Sequence, residues 1–279
     1  MRYAYGCLFF ILFIASSCSD GKRDKAETVV KQDSIVSSVV PSVADETIGM
    51  LLQHSDDSFD DFIYYFSSVP EFQRKRIKIP LPYVENGNIR RIGLPELEHD
   101  SLFFGDMYFT RIFDDEIPDS MSDIETDSAI FEWIYMDKPF AKEYLFTKDG
   151  KKWFLDKIVV KDLIGDERMD FIDFFRKFAT DSLFQLGHVS RQIAFVTSDP
   201  DDEFSVIKAT IDKEQWNSFK PVFPKKRFSN FRFLNSAKVG SGKEKILCLS
   251  GVENGFNNIL HFKKRRGEWM LYKFEDLSN

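Results

Sequence analysis

Residues 59–73, FDDFIYYFSSVPEFQ, can be laid over residues 171–185, FIDFFRKFATDSLFQ, without a gap. Phe59, Asp61, Phe62, Phe66, Phe72 and Gln73 then meet Phe171, Asp173, Phe174, Phe178, Phe184 and Gln185, and Ser68 meets Thr180. In both stretches the apolar residues recur at i, i+3, i+4 and i+7, one face of an α-helix. The hydroxyl residues stand where a second, short helix would be capped. Ser68 has Pro70 and Glu71 behind it, the capping-box spacing with a proline in the first turn, and Thr180 is followed by Asp181.

Downstream of each stretch the pattern turns to period two. LPYVENGNIRRI, from Leu81, reads as a hairpin about Asn86 and Gly87; its counterpart, from Ile193, is IAFVTSDPDDEFSVIKATI with a longer turn. Both halves then read as meanders. The first is AIFEWIYM, AKEYLFTK and KKWFLDKIVV, turning at Asp149 and Gly150; the second is SNFRFL, EKILCLS, NNILHFKK and EWMLYKFED, turning at Gly242, Gly255 and Gly267. The closing strands share Trp153/Trp269, Leu155/Leu271 and Lys157/Lys273. A unit of helix, short helix, hairpin and meander is therefore expected twice, over 47–163 and 164–279, joined near Asp162 to Asp166. Between hairpin and meander the second half has IDKEQWNSFKPVF, a third helix, whereas PELEHDSLFFGDMYFTRIF in the first reads as helix, strand or both.

This order of elements, ending in a tryptophan-containing strand, resembles the nuclear-transport-factor-2-like (cystatin-like) fold. The resemblance implies an α+β protein of two tandem cones, each made of helices packed on a strongly bent antiparallel sheet. The tandem arrangement behind an export signal further resembles uncharacterised bacterial lipoproteins. The fold alone implies no activity, because such cones serve isomerases, dehydratases, carriers and interaction modules.

The export signal is read from the first residues. Arg2 precedes the apolar stretch CLFFILFIA at 7–15, too short for a membrane span of about 20 residues. The segment IASSC that follows resembles a lipobox, with Ala15 where leucine is commonest. That resemblance implies a signal peptide at 1–17 and lipid on Cys18, hence anchorage to a membrane without crossing it. Residues 18–46 contain no aromatic residue and are rich in Ser, Asp, Lys and Val, the composition of a flexible tether. With Cys7 removed and Cys18 lipidated, Cys248 stands alone, and its place in EKILCLS makes it a buried strand residue. The expected location is the bacterial envelope, periplasmic or at the cell surface.

A net charge of −7 argues against a nucleic-acid partner. Thirty phenylalanines among 279 residues point to a large aromatic core. The four histidines lack the spacing of a metal site, and no cofactor motif is present: GSGK from Gly240 lacks the first glycine and the hydroxyl residue of a phosphate loop. DPDDE from Asp199 lacks the alternation and glycine of a calcium loop and reads as a solvated turn. Two groups of residues are candidates for ligand binding. Trp133, Tyr135 and Tyr144 lie on adjacent expected strands, with Trp133 and Tyr135 on one face, an aromatic wall for a small apolar or sugar-like ligand. His188, Trp216 and His261 stand where they would line the mouth of the second cone. The sequence thus favours a lipid-anchored binding or scaffolding module for a small ligand or partner protein, with a cone-pocket enzyme centred on the second group as the alternative.

Overall fold

Ser58 starts the first helix, α1 (Phe59–Ser68). Its backbone is extended, its hydroxyl accepts from the Asp61 amide at 3.0 Å and donates to the Asp61 carboxylate at 2.6 Å, so the cap and the helix-dipole charge are one device. The computed structural model describes residues 52–118, 126–234 and 242–279, all within one compact unit. The leader, Cys18 and the whole tether expected from the sequence lie outside the described residues.

After α1, the chain runs through α2 (Pro70–Lys75), β1 (Leu81–Glu85), β2 (Asn88–Ile92), β3 (Tyr108–Asp114), β4 (Ser128–Tyr135), β5 (Phe140–Asp149) and β6 (Lys152–Asp162). The second half repeats it as α3 (Met169–Thr180), α4 (Ser182–Gly187), β7 (Val189–Asp199), β8 (Asp202–Asp212), α5 (Trp216–Phe219), β9 (Arg227–Phe233), β10 (Glu244–Gly251), β11 (Asn257–Arg265) and β12 (Glu268–Asp276). The β1–β2 turn is as expected: Asn86 and Gly87 both take positive φ, 49° and 78°, as a tight two-residue hairpin requires.

Three local expectations are corrected. The hydroxyls of Ser68 and Thr180 do not cap the short helices; they turn back to the carbonyls of Tyr64 and Arg176, at 2.8 and 2.7 Å. The residues before the short helices are Val69, which offers no side-chain cap, and Asp181, which accepts from the amides of Leu183 and Phe184. The β7–β8 turn is no longer than the first, because Asp199 pairs with Asp202 across Pro200 and Asp201. The third helix is short: a 3-10 turn over Lys213–Gln215 and then α5.

The larger correction concerns the meanders. One sheet has the order β2-β1-β6-β5-β4-β9 and the other β3-β10-β11-β12-β7-β8. β9 pairs not with β10 but with β4, Phe231 opposite Phe131, and β10 pairs with β3, Leu247 opposite Ile112. The two halves have exchanged equivalent strands. Where β3 and β9 cross, the backbone must be satisfied without a ladder. The Thr110 amide donates to Ser229 Oγ at 2.7 Å, Ser229 Oγ donates to the Thr110 carbonyl at 3.0 Å, the Thr110 hydroxyl donates to the Ser229 carbonyl, and the Ile112 amide donates to Asn230 Oδ1 at 2.9 Å.

The matching aromatic residues occupy equivalent surroundings. Phe59 lies edge-on to Trp153 with centroids 5.0 Å apart, Phe171 to Trp269 at 5.2 Å. Phe62 meets Phe66, Phe72 and Phe146 at 5.4, 5.9 and 5.5 Å; Phe174 meets Phe178, Phe184 and Phe262 at 5.5, 5.9 and 5.5 Å. Gln73 and Gln185 recur because each buried amide donates at 2.8 Å to the carbonyl of the matched Phe66 or Phe178, tying short helix to long. One pair departs. Trp269 Nε1 donates to Asp170 at 2.8 Å, but the residue matching Asp170 is Ser58, already engaged with Asp61, and among the described residues Trp153 Nε1 has no acceptor.

On the side of β4 turned away from α1, Glu132 is fully buried. It accepts from Arg168 at 2.5 Å and Asn230 at 3.0 Å, while neighbouring Glu143 pairs with Arg232 at 2.5 Å and Lys161 at 2.9 Å. Arg168 also grips Asp166 through two contacts of 2.8 Å, and these bonds hold the Asp166 carboxyl well below the usual carboxylate range. The segment joining the halves is thus latched onto the first sheet.

Truncating either helix-to-sheet anchor, Phe62→Ala or Phe174→Ala, is expected to cost about 3–5 kcal/mol. Because the sheets share strands, each variant should unfold in one transition, with far-ultraviolet circular dichroism and tryptophan fluorescence superimposable during a urea titration. Two separated transitions would contradict the shared-strand architecture.

Candidate functional site

Alternation along β4 sends Phe131, Trp133 and Tyr135 to the side on which α1 packs, and Phe131 and Trp133 join Phe59, Phe62 and Phe66 in one core. At the Tyr135 end this side borders a cleft of about 630 Å³. Trp133 and Tyr135 form its floor. One wall is Asp106, Met107 and Tyr108 leading into β3, and the other runs from Pro224 through Arg227 into β9. Thr110 and Ser229, the residues of the strand crossing, also line it. The cleft therefore exists where the exchanged strands meet.

Its walls are tied together. The Tyr108 hydroxyl donates to the Val222 carbonyl at 2.7 Å, and the Tyr108 ring stacks on Phe256 at 5.2 Å. Burial, with Asp106 nearby, raises the Tyr108 hydroxyl pKa, so it stays a neutral donor. The Met107 carbonyl accepts from the Val252 amide at 3.2 Å and Asn254 Nδ2 at 2.8 Å, which anchors this lip to the second sheet.

Trp133 is only 4% exposed, and the guanidinium carbon of Arg227 lies 3.8 Å from its ring centroid. The indole thus serves as a platform for the cation. Tyr135 is half-buried, its ring stacked on Phe140 at 4.2 Å. Lys225, Lys226 and Arg227 are exposed, and among the described residues none of them forms an ion pair. Against these three cations the lining sets one carboxylate, Asp106.

Tyr144 lies deeper. It is buried against Phe131, with centroids 5.7 Å apart, and its hydroxyl donates to the carboxylate of Asp100, which Lys142 also approaches at 3.4 Å. Burial alone would raise the Asp100 pKa, but the Tyr144 hydrogen bond and the Lys142 charge outweigh it and hold the carboxyl below its usual range. Asp100 is therefore a fixed anion at neutral pH. Burial, reinforced by Asp100, raises the Tyr144 pKa, keeping it a donor.

In the second half the three candidates are dispersed. Trp216 is fully buried against Phe274, its indole N–H donating to Gln185 at 3.2 Å. His261 contacts Glu275 at 2.6 Å, and since Phe274 and Glu275 are adjacent on β12 they face opposite sides. His261 and Trp216 are thus separated by the sheet. His188 stacks on Phe184 at 3.8 Å, with both ring nitrogens engaged, by the Phe184 carbonyl at 2.7 Å and Glu268 at 3.0 Å. Cys248 is buried on β10 as its sequence context implied, and burial pushes its thiol up to about 12.

Of the first group, Trp133 and Tyr135 share the cleft while Tyr144 does not line it. The basic wall was missed. Its signal, the run PKKR at 224–227, is in the sequence, but nothing local ties it to Trp133. Only the pairing of Tyr135 with Arg227 and of Trp133 with Ser229 does so.

Comparison places this geometry in a known class. Among solved structures the chain is similar to an NTF2-like protein, BF2862, from Bacteroides fragilis NCTC 9343, at 40% identity, covering 81% of this chain and 98% of that one with a TM-score of 0.72. The fold is accordingly α+β and NTF2-like. The chain belongs to the DUF4348 family, described as a domain of unknown function, which matches residues 43–276. No curated protein matches it.

Proposed function

We propose that the protein is a lipid-anchored module of the bacterial envelope whose two NTF2-like cones, drawn mainly from 47–163 and 164–279 and each completed by one strand of the other half, carry a binding function. Its small-ligand site is the cleft floored by Trp133 and Tyr135. The observation that carries this reading is the cleft itself: about 630 Å³, within the size range of small-molecule sites, lined by Tyr135 and by Arg227 laid over Trp133, with polar groups converging from two separate segments. The anchor rests on the lipobox-like IASSC and the aromatic-free stretch behind it.

Two experiments test the two parts. Small aromatic fragments screened by nuclear magnetic resonance should shift the Trp133 indole N–H and the Tyr135 ring. Fragments that bind only elsewhere, or no binding at millimolar concentration, would refute the cleft as the site. For the anchor, full-length protein expressed in a lipoprotein-processing bacterium should incorporate radiolabelled fatty acid and sediment with membranes, and Cys18→Ala should abolish both. Equal labelling and retention of the two forms would remove the anchor from the account.

A further inference from the structure

The charge in the cleft runs against the charge of the chain. The protein carries a net −7, yet Lys225, Lys226 and Arg227 stand on one wall without an ion pair among the described residues, facing Asp106 as the only acidic lining residue. A solvated surface patch would need no further comment, but Arg227 is not a loose surface side chain. Its guanidinium carbon sits 3.8 Å from the centroid of the buried Trp133 ring, and a guanidinium laid on an aromatic face keeps its N–H edge free for a planar anion. No hydrogen bond from the Arg227 guanidinium to a described residue competes for that edge. Beside this cationic end the lining includes two partly exposed apolar side chains. Tyr135 is half-buried and braced by Phe140, and Met107 is 52% exposed on the opposite wall. Trp133 cannot itself stack on a ligand, since Arg227 covers it and little of it reaches solvent.

We propose that the cleft takes an organic anion, a carboxylate or phosphate ester on a flat apolar body. The head group is held by the guanidinium of Arg227 with Lys225 and Lys226 beside it, and the body lies against Tyr135 and Met107. This rests on the cleft being a ligand site and adds the ligand's chemistry. Arg227 is the specificity-determining residue: a neutral ligand of the same shape gains only the apolar contact, whereas an anion gains charge-assisted hydrogen bonds as well.

The test uses the folded mature protein and three probes of one shape, 2-naphthoate, 2-naphthyl phosphate and the neutral 2-naphthalenemethanol, with affinities from calorimetry at low and high salt. At low salt at least one anion should bind about tenfold or more tighter than the alcohol, and the margin should shrink as salt rises. Arg227→Gln should erase the margin, the anions then binding no tighter than the alcohol binds the same variant, and Lys226→Gln, on an exposed side chain, should reduce it. Equal binding of acid, phosphate and alcohol, insensitive to both substitutions, would overturn the anion assignment while leaving the cleft a ligand site. Inorganic phosphate competing as well as the naphthyl probes would overturn the apolar half of the proposal. Binding of none of the three would overturn the anion assignment, while the ligand-site reading stands or falls with the fragment screen.

Discussion

The reciprocal exchange of β3 and β9 is the constraint from which the rest of the molecule follows. Each six-stranded sheet takes five strands from one half of the chain and its last strand from the other. The strands meet at Thr110 and Ser229, where two hydroxyls and two main chains satisfy one another. Leaving such buried donors and acceptors unmatched would cost about 1–3 kcal/mol each, so the crossing depends on small hydroxyl residues at that point. The cleft is a by-product of the same crossing. Its walls are the approaches to the two exchanged strands, and its floor is the strand that accepts β9.

Within each half the dominant force is aromatic burial. α1 and α3 each set three phenylalanines onto a sheet whose own phenylalanine and tryptophan meet them edge-on, and the two sets of distances agree closely. Edge-to-face contacts are directional, so these clusters fix the seating of the helices as well as contributing apolar burial. The differences between halves are polar. Asp170 gives Trp269 an acceptor that Ser58 does not give Trp153. Arg76, beside Asp56 at 2.6 Å, takes the place that His188 occupies next to Glu268.

These contrasts explain what could be read in the sequence. The helix faces, the Asn86–Gly87 hairpin, the closing strands and the recurring glutamines follow from local periodicity and turn chemistry, which the chain carries residue by residue. Strand partnership is not local: nothing within YFTRIFD or RFSNFRF specifies which strand it will join. The misplaced caps have a local cause that spacing does not reveal. The backbone leaves the helix one residue later than Ser68 and Thr180, at Val69 and Asp181, so the hydroxyls remain inside the last turn and bond backward. Trp133 and Tyr135 were legible as neighbours on one face because strands alternate, whereas Lys225, Lys226 and Arg227 reach them only through the exchange.

The exchange is tested most directly by cross-strand contacts in solution. In a uniformly labelled sample, backbone nuclear Overhauser effects should connect β9 to β4, around Phe231 and Phe131, and β3 to β10, around Ile112 and Leu247. Effects that instead join β3 to β4 and β9 to β10 would mean that each half closes its own sheet, and the account of the cleft would fall with the crossing that forms it.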